Sequence, residues 1–215
     1  MLEECIMTDI YPMISKLVSR SPNTHDPIEY NEEVLDFFEE PFLPALREFQ
    51  DVASSYCHER DEYCKDLSTI KTSVEKELIE LFADLSIVIK LMSSYPYMYL
   101  KDHSDIDFAI LLQPLTEKLR KICIDRLKNK GYKCNGLIYG YTSCVKIING
   151  IEIEVKIRDL NKSLHIIALH EYLENLPSDV QQLLTWAKFT TKDDPSVYNR
   201  LKSIIYTAFY TKINK

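Results

Sequence analysis

Glycine is scarce in this chain: 4 residues in 215, and none before Gly131. The long stretch ahead of Gly131 thus has few tight turns, which suits a helical first half. Long apolar runs are missing too. None approaches the roughly 18 residues that a bilayer span needs, so a membrane helix is excluded. The start, Met1-Leu2-Glu3-Glu4, is acidic. Signal and transit peptides are basic, so no targeting leader is expected. The 6 cysteines are scattered and no secretion signal precedes them. They read as reduced thiols of the cytosol or nucleus, and the chain reads as cytoplasmic. Cys57 and Cys64 share a helix face by their spacing, but no second ligand pair follows, so zinc is not expected. His25, His165 and His170 form no triad with a nucleophile. There is no internal repeat, no low-complexity tract and no clear linker. What is there, 46% hydrophobic and 27% charged residues, is an ordinary soluble globular composition.

The net charge of −7 conceals an asymmetry. Residues 1–86 carry 20 acidic and 7 basic side chains, whereas residues 87–215 carry 13 and 19. The later part is basic, which suits a phosphate-rich substrate. Neutralisation of one part by the other on packing accounts for the same numbers.

Apolar residues at helical spacing mark residues 11–19, 31–40, 43–65 and 72–85 as helices; Val74, Leu78, Leu81 and Phe82 form one such stripe. The texture changes at Ser86. Residues 87–92 are a short β-branched run, read as a strand, and a second strand occupies 104–112. Residues 115–130 form an amphipathic helix on Leu115, Leu119, Ile122 and Leu127, with Gly131 as its C′ residue. Residues 137–141 and 143–148 read as strands. Asn149-Gly150 is a type I′ hairpin signal and 151–158 is the returning strand. Residues 165–176 and 179–213 read as helices. The expected class is α+β: a small mixed sheet flanked by N-terminal and C-terminal helices. Three regions follow, an acidic helical region 1–86, a core 87–160 and C-terminal helices 161–215.

Two strands carry the chemistry. Ser104-Asp105-Ile106-Asp107-Phe108-Ala109-Ile110-Leu111-Leu112 opens with two aspartates one residue apart, so both point to one side. Ile106, Phe108, Ile110 and Leu112 share the other side, toward the core. Paired carboxylates on one exposed sheet face repel each other, yet they suit a hard divalent cation that wants oxygen ligands. In Ile151-Glu152-Ile153-Glu154-Val155-Lys156-Ile157-Arg158-Asp159 the alternation is strict, with Glu152, Glu154, Lys156 and Arg158 on the polar face. If both apolar faces pack on one core, Asp105, Asp107 and one of the two glutamates converge, with Lys156 and Arg158 beside them as phosphate clamps. A solvated edge strand is the bland alternative.

The stretch Ser93-Ser94-Tyr95-Pro96-Tyr97-Met98-Tyr99-Leu100-Lys101-Asp102-His103-Ser104-Asp105-Ile106-Asp107 resembles the signature of the DNA polymerase β-like nucleotidyltransferases. That signature is a strand, a Gly-Ser turn and a second strand opening with Asp-x-Asp. The spacing is similar to that of terminal uridylyltransferases, poly(A) polymerases and minimal bacterial nucleotidyltransferases. The resemblance runs from Ile87 to Asp159. It implies that Asp105 and Asp107 are the metal-binding pair and that Glu154 or Glu152 is the third carboxylate. It also implies that Ser94 is the turn serine that holds the triphosphate. Ser93 stands where the family usually has Gly, and Met98 where many members have a second one. Glycine there lets the backbone approach phosphates, so this loop departs from the pattern. The run Glu154-Val155-Lys156-Ile157-Arg158 also looks like the glutamate strand of bacterial alarmone synthetases, which favours Glu154 over Glu152.

The resemblance implies transfer of a nucleoside monophosphate from an NTP to an acceptor hydroxyl, with Mg²⁺ or Mn²⁺ in a two-metal arrangement. The acceptor is left open among an RNA 3′ end, a protein and a small molecule, and the oligomeric state is unreadable. Many members use a lysine from a C-terminal helix on the triphosphate, which nominates Lys188 in Trp186-Ala187-Lys188; a solvated lysine is the bland reading. Ser93, Ser94, Lys156, Arg158 and Lys188 are thus the expected nucleotide contacts. The basic helix 115–130, with Lys118, Lys121 and Lys128, reads first as a solvated face. Two other functions stay open: a catalytically silent fold of the same type used for binding, and pyrophosphate transfer of the alarmone-synthetase kind.

Overall fold

Alternation governs the sheet. Ile151, Ile153, Val155 and Ile157 are buried on one side of their strand, and Ile106, Phe108, Ile110 and Leu112 on one side of theirs. These eight side chains belong to a single core cluster. In this computed structural model residues 2–23, 29–58, 61–92, 105–138 and 140–215 are described. The helices in chain order are α1 (Leu2–Ser19), α2 (Glu32–Phe37), α3 (Leu43–Arg47), α4 (Gln50–His58), α5 (Asp61–Leu81), α6 (Glu117–Asn129), α7 (Leu164–Glu174), α8 (Ser178–Thr191) and α9 (Pro195–Ile213). The strands are β1 (Ile87–Leu91), β2 (Ile106–Leu112), β3 (Lys133–Ile138), β4 (Tyr141–Ile148) and β5 (Ile151–Asp159). The chain divides into two compact units, Arg60–His170 and the pair of segments Met1–Glu59 and Glu171–Lys215.

The unit Arg60–His170 holds a five-stranded mixed sheet in the order β1-β2-β5-β4-β3. β2 and β5 are parallel, and the other pairs are antiparallel. Leu67, Val74 and Leu78 of α5, with Phe82 just beyond it, join Cys123 and Leu127 of α6 on the apolar face. Helix α6 starts where Thr116 caps it, its side chain accepting from the Leu119 N–H at 3.2 Å. Lys118, Lys121 and Lys128 are exposed, as a solvated face requires. Arg126 is not part of that face. It donates to the Leu81 carbonyl at 2.9 Å and to Asp84 Oδ2 at 2.7 Å, tying α6 to the end of α5. Asn149 and Gly150 have φ of 52° and 82°, the two positive values of a type I′ turn. That turn fixes the β4–β5 register from Ile148↔Ile151 to Thr142↔Ile157.

The second sheet face is not open along its whole length. Met92, Ala109 and Leu111 pack with Leu160, Ile166 and Ile167, the last two on α7. Beyond Asp107, therefore, β2 is buried on both faces.

In the other unit, Phe38 stacks on Phe42 at 5.6 Å and meets Phe209 edge-on at 5.0 Å, while Trp186 lies 5.7 Å from Phe49. Pro41 does not end the helix it interrupts. The chain passes through it as a π-helical turn, Phe38–Phe42, because a ring without an N–H is accommodated by widening the turn.

Several expected boundaries shift. The single helix expected over 43–65 is α3, α4 and the first turns of α5. The helix expected over 179–213 is two, α8 and α9. Asp194 caps the second, accepting from the Ser196 and Val197 N–H groups at 3.0 and 3.3 Å, and Pro195 supplies its first turn. Strand β3 begins at Lys133, not 137, and carries a bulge between Cys134 and Leu137. That extension corrects the reading of reduced thiols. Cys134 and Cys144 are directly opposed across β3 and β4 and form a disulfide, a pairing hidden while Cys134 was placed outside the sheet. Among the described residues, no helix is long and apolar enough to cross a membrane.

Candidate metal centre

The parallel pairing of β2 and β5 sets Asp107 directly beside Glu154. Side chains of register partners share a face, so alternation brings Asp105 to the same side. One carboxylate oxygen from each of Asp105, Asp107 and Glu154 lies within 4.8 Å of the others. Lys156, two residues along β5, closes the group. Its Nζ lies 3.1 Å from Asp107 Oδ1 and 3.0 Å from Glu154 Oε2. The other Glu154 oxygen, Oε1, accepts from Ser143 Oγ at 2.6 Å. The side chains of Asp107, Glu154 and Lys156 are only 15%, 19% and 19% exposed.

Burial and charge divide the protons unequally. Burial pushes Asp107 up to about 7; Lys156 opposes that rise, and Asp105 and Glu154 reinforce it. Burial also works against ionised Glu154, but the Ser143 hydroxyl and the Lys156 ammonium outweigh it and hold that carboxyl below its usual range. Lys156 is opposed by burial and held above its ordinary value by Asp107 and Glu154. The resting arrangement is therefore an ionised Glu154 and a cationic Lys156, with Asp107 able to carry a proton near neutrality.

The remaining nominated residues are placed as follows. Arg158 lies further along the same face, its guanidinium carbon 4.3 Å from the centre of the Tyr141 ring. Glu152 is exposed and outside the group of convergent oxygens. Lys188 lies on α8, in the unit formed by Met1–Glu59 and Glu171–Lys215, and is 1% exposed; Trp186 is equally buried. A solvated Lys188 is thereby corrected: α8 is enclosed by apolar neighbours on more than one side. The Lys188 Nζ is 6.0 Å from the Tyr198 ring centre. Ser93 and Ser94, with the rest of the turn up to Ser104, lie outside the described residues.

Two residues of this face escaped sequence reasoning, Ser143 and Tyr141. A signal for the first was present. A two-residue turn at Asn149-Gly150 pairs 148 with 151, and counting back from it pairs Ser143 with Lys156, as observed. The same count sets Tyr141 opposite Arg158, but the sequence reading assigns Tyr141 to the strand 137–141, outside β4.

No family model and no curated protein matches this chain. Solved structures do. One described as a cytoplasmic RNA terminal U-transferase matches with a TM-score of 0.50 at 13% identity, over 68% of this chain and 45% of that one. Cid1 poly(U) polymerase matches with a TM-score of 0.51 in a form bound to MgATP and 0.50 in a form bound to MgGTP. Both are 14% identical, over 67% of this chain and 48% of that one. This chain thus spans less than half the length of each of these proteins. At such identity the likeness is one of architecture, and it is specific: the chain has the fold of the DNA polymerase β-like nucleotidyltransferases.

Proposed function

We propose that this protein transfers a nucleoside monophosphate from an NTP to an acceptor hydroxyl, releasing pyrophosphate, with region 87–160 as the catalytic core. The observation that carries the reading is the convergence of Asp105, Asp107 and Glu154 on one face of a sheet of this fold. The donor set fits hard divalent cations, Mg²⁺ or Mn²⁺ in a two-metal arrangement, because it offers oxygen ligands only and Ser143 fixes the orientation of one of them. Bound there, such ions supply Lewis-acid polarisation of the phosphate and a more acidic acceptor hydroxyl. The chain's own residues do the rest. Asp105, Asp107 and Glu154 hold charge at fixed positions, and Lys156 and Arg158 offer cations on the same face to phosphate oxygens. Ser93, Ser94 and Lys188 are assigned to the nucleotide by the sequence resemblance alone. The solved proteins named above act on RNA by their descriptions, so an RNA 3′ hydroxyl is the first acceptor to test, ahead of a protein or small molecule. We also assign the chain to the cytoplasm, the compartment named for the terminal U-transferase; a Cys134–Cys144 disulfide is unusual there.

The deciding experiment uses NTPs labelled at the α-phosphate, with total RNA, with and without a chelator. Chelator-sensitive label in RNA is expected. In a parallel assay with γ-labelled NTP, transfer of that label without any transfer of the α-label would identify pyrophosphate transfer instead. One observation favours a silent binding fold: Lys156 already satisfies Asp107 and Glu154 without any metal. In that case NTPs would not raise the melting temperature, with or without Mg²⁺.

A pH dependence follows from the buried aspartate. To hold a cation Asp107 would have to be ionised, so Mn²⁺ affinity should rise by up to about tenfold per pH unit below 7 and flatten above it. Without metal the sign reverses for stability. Folded Asp107 titrates near 7 and unfolded aspartate near 3.9, so its proton-linked stability is present in acid and lost as pH rises through 7. Calorimetric titrations at pH 6, 7 and 8 check the first statement. Melting curves of wild type against Asp107→Asn over the same range check the second, and parallel curves would refute it.

A further inference from the structure

Both oxygens of Glu154 are engaged, Oε1 by Ser143 and Oε2 by the Lys156 ammonium, which also reaches Asp107 Oδ1. A cation held by Asp107 and Glu154 needs oxygens that Lys156 now uses. The geometry points to Lys156 as an internal counter-ion of the acidic group, displaced when a divalent cation enters and then passed to the phosphates of the nucleotide. This rests on the metal-dependent reading of the site given above, and adds to it an order of events and a coupling between ligands.

Three features of the fold support it. First, the register partners of Lys156 are Ala109 on β2 and Ser143 on β4, both small. Within the sheet, therefore, no large register partner flanks its four-carbon stem, although the apolar cluster of Met92, Leu160, Ile166 and Ile167 packs around Ala109. Second, the site is largely withdrawn from water, so an ammonium and a divalent cation beside the same carboxylates repel strongly. The lysine cannot stay in place. Third, Arg158 lies on the same face further along β5, which makes the direction away from the carboxylates the electropositive one. A triphosphate lying along that direction would receive the released ammonium. The coupling follows: metal alone must evict a paired lysine, whereas metal arriving with a nucleotide gives that lysine a new anionic partner. Each ligand should then tighten the other.

The test measures Mn²⁺ binding by calorimetry to the full chain, alone and with a non-hydrolysable NTP analogue. Lys156→Met removes the competing charge and keeps the stem. It should bind Mn²⁺ alone roughly tenfold or more tightly than wild type, and the nucleotide should enhance that binding clearly less than it does in wild type. Lys156→Arg keeps the competitor and should remain near wild type. If Lys156→Met binds Mn²⁺ no better than a wild type that does bind it, the counter-ion role is refuted and the metal site survives. If neither protein binds Mn²⁺, the metal reading falls and this inference with it. Should Lys156→Met fail to fold, wild type alone still decides: absence of any mutual enhancement between Mn²⁺ and the analogue overturns the proposal.

Discussion

Asp107→Asn is expected to lower metal-dependent nucleotidyl transfer by roughly 10³-fold, the scale of removing a charge-stabilising group from a reaction centre. The amide nearly matches the carboxylate in shape, so the sheet has no steric reason to change. It removes an acid that faces both Glu154 and Lys156 across the β2–β5 pair. Stability should move the other way. The fold disfavours the Asp107 charge, since burial raises its pKa to about 7. Replacing it by a neutral group should leave the melting temperature at pH 8 unchanged or higher. A lower activity with a preserved or raised melting temperature separates a functional carboxylate from a structural one. Metal-dependent transfer within tenfold of wild type would remove Asp107 from the site.

Phe108→Ala, one residue on, should do the opposite. Phe108 is fully buried in the cluster shared by the sheet, α5 and α6. Truncation there costs about 3–5 kcal/mol through lost burial and the cavity left behind. A domain stable by only about 5–15 kcal/mol loses from about a fifth to all of its margin. Urea unfolding should show the midpoint fall sharply, while Mn²⁺ affinity measured well below that midpoint stays within a few-fold of wild type. The reason is again alternation: Phe108 points away from the face that bears Asp107. A loss under about 1 kcal/mol would mean that the core closes around the gap, against the expectation for a fully buried aromatic side chain.

These two neighbours also show what was legible beforehand. Period-two patterning in 104–112 and 151–159 carried the core, the class of the fold and the shared face of the acids. The hairpin signal at Asn149-Gly150 carried the register. Most of what escaped depended on neighbours distant in sequence. Gly136 lies inside the bulge in β3, and a glycine in a strand is a bulge signal; without using it, the start of that strand and the Cys134–Cys144 pairing are misplaced. A lysine in an amphipathic helix gives no sign that it will be enclosed, as Lys188 is. Lys156 was read as a phosphate clamp because its strand shows only alternation. That its ammonium rests between two acids is settled by the partner strand. The break before α9 was readable in principle, since Asp194-Pro195 is a cap followed by a first-turn proline.

The parallel pairing of β2 with β5 has a consequence for folding order. Lys156 and Asp107 are separated by 49 positions, yet meet at hydrogen-bond distance. Between them lie a helix, α6, and the strands β3 and β4, so the two acidic strands meet only across a long loop of chain. Neither half-motif can gather the three carboxylates by itself. Loop closure over that span precedes any reward from the contacts it permits, so the cluster belongs to the non-local, slow-forming part of the topology.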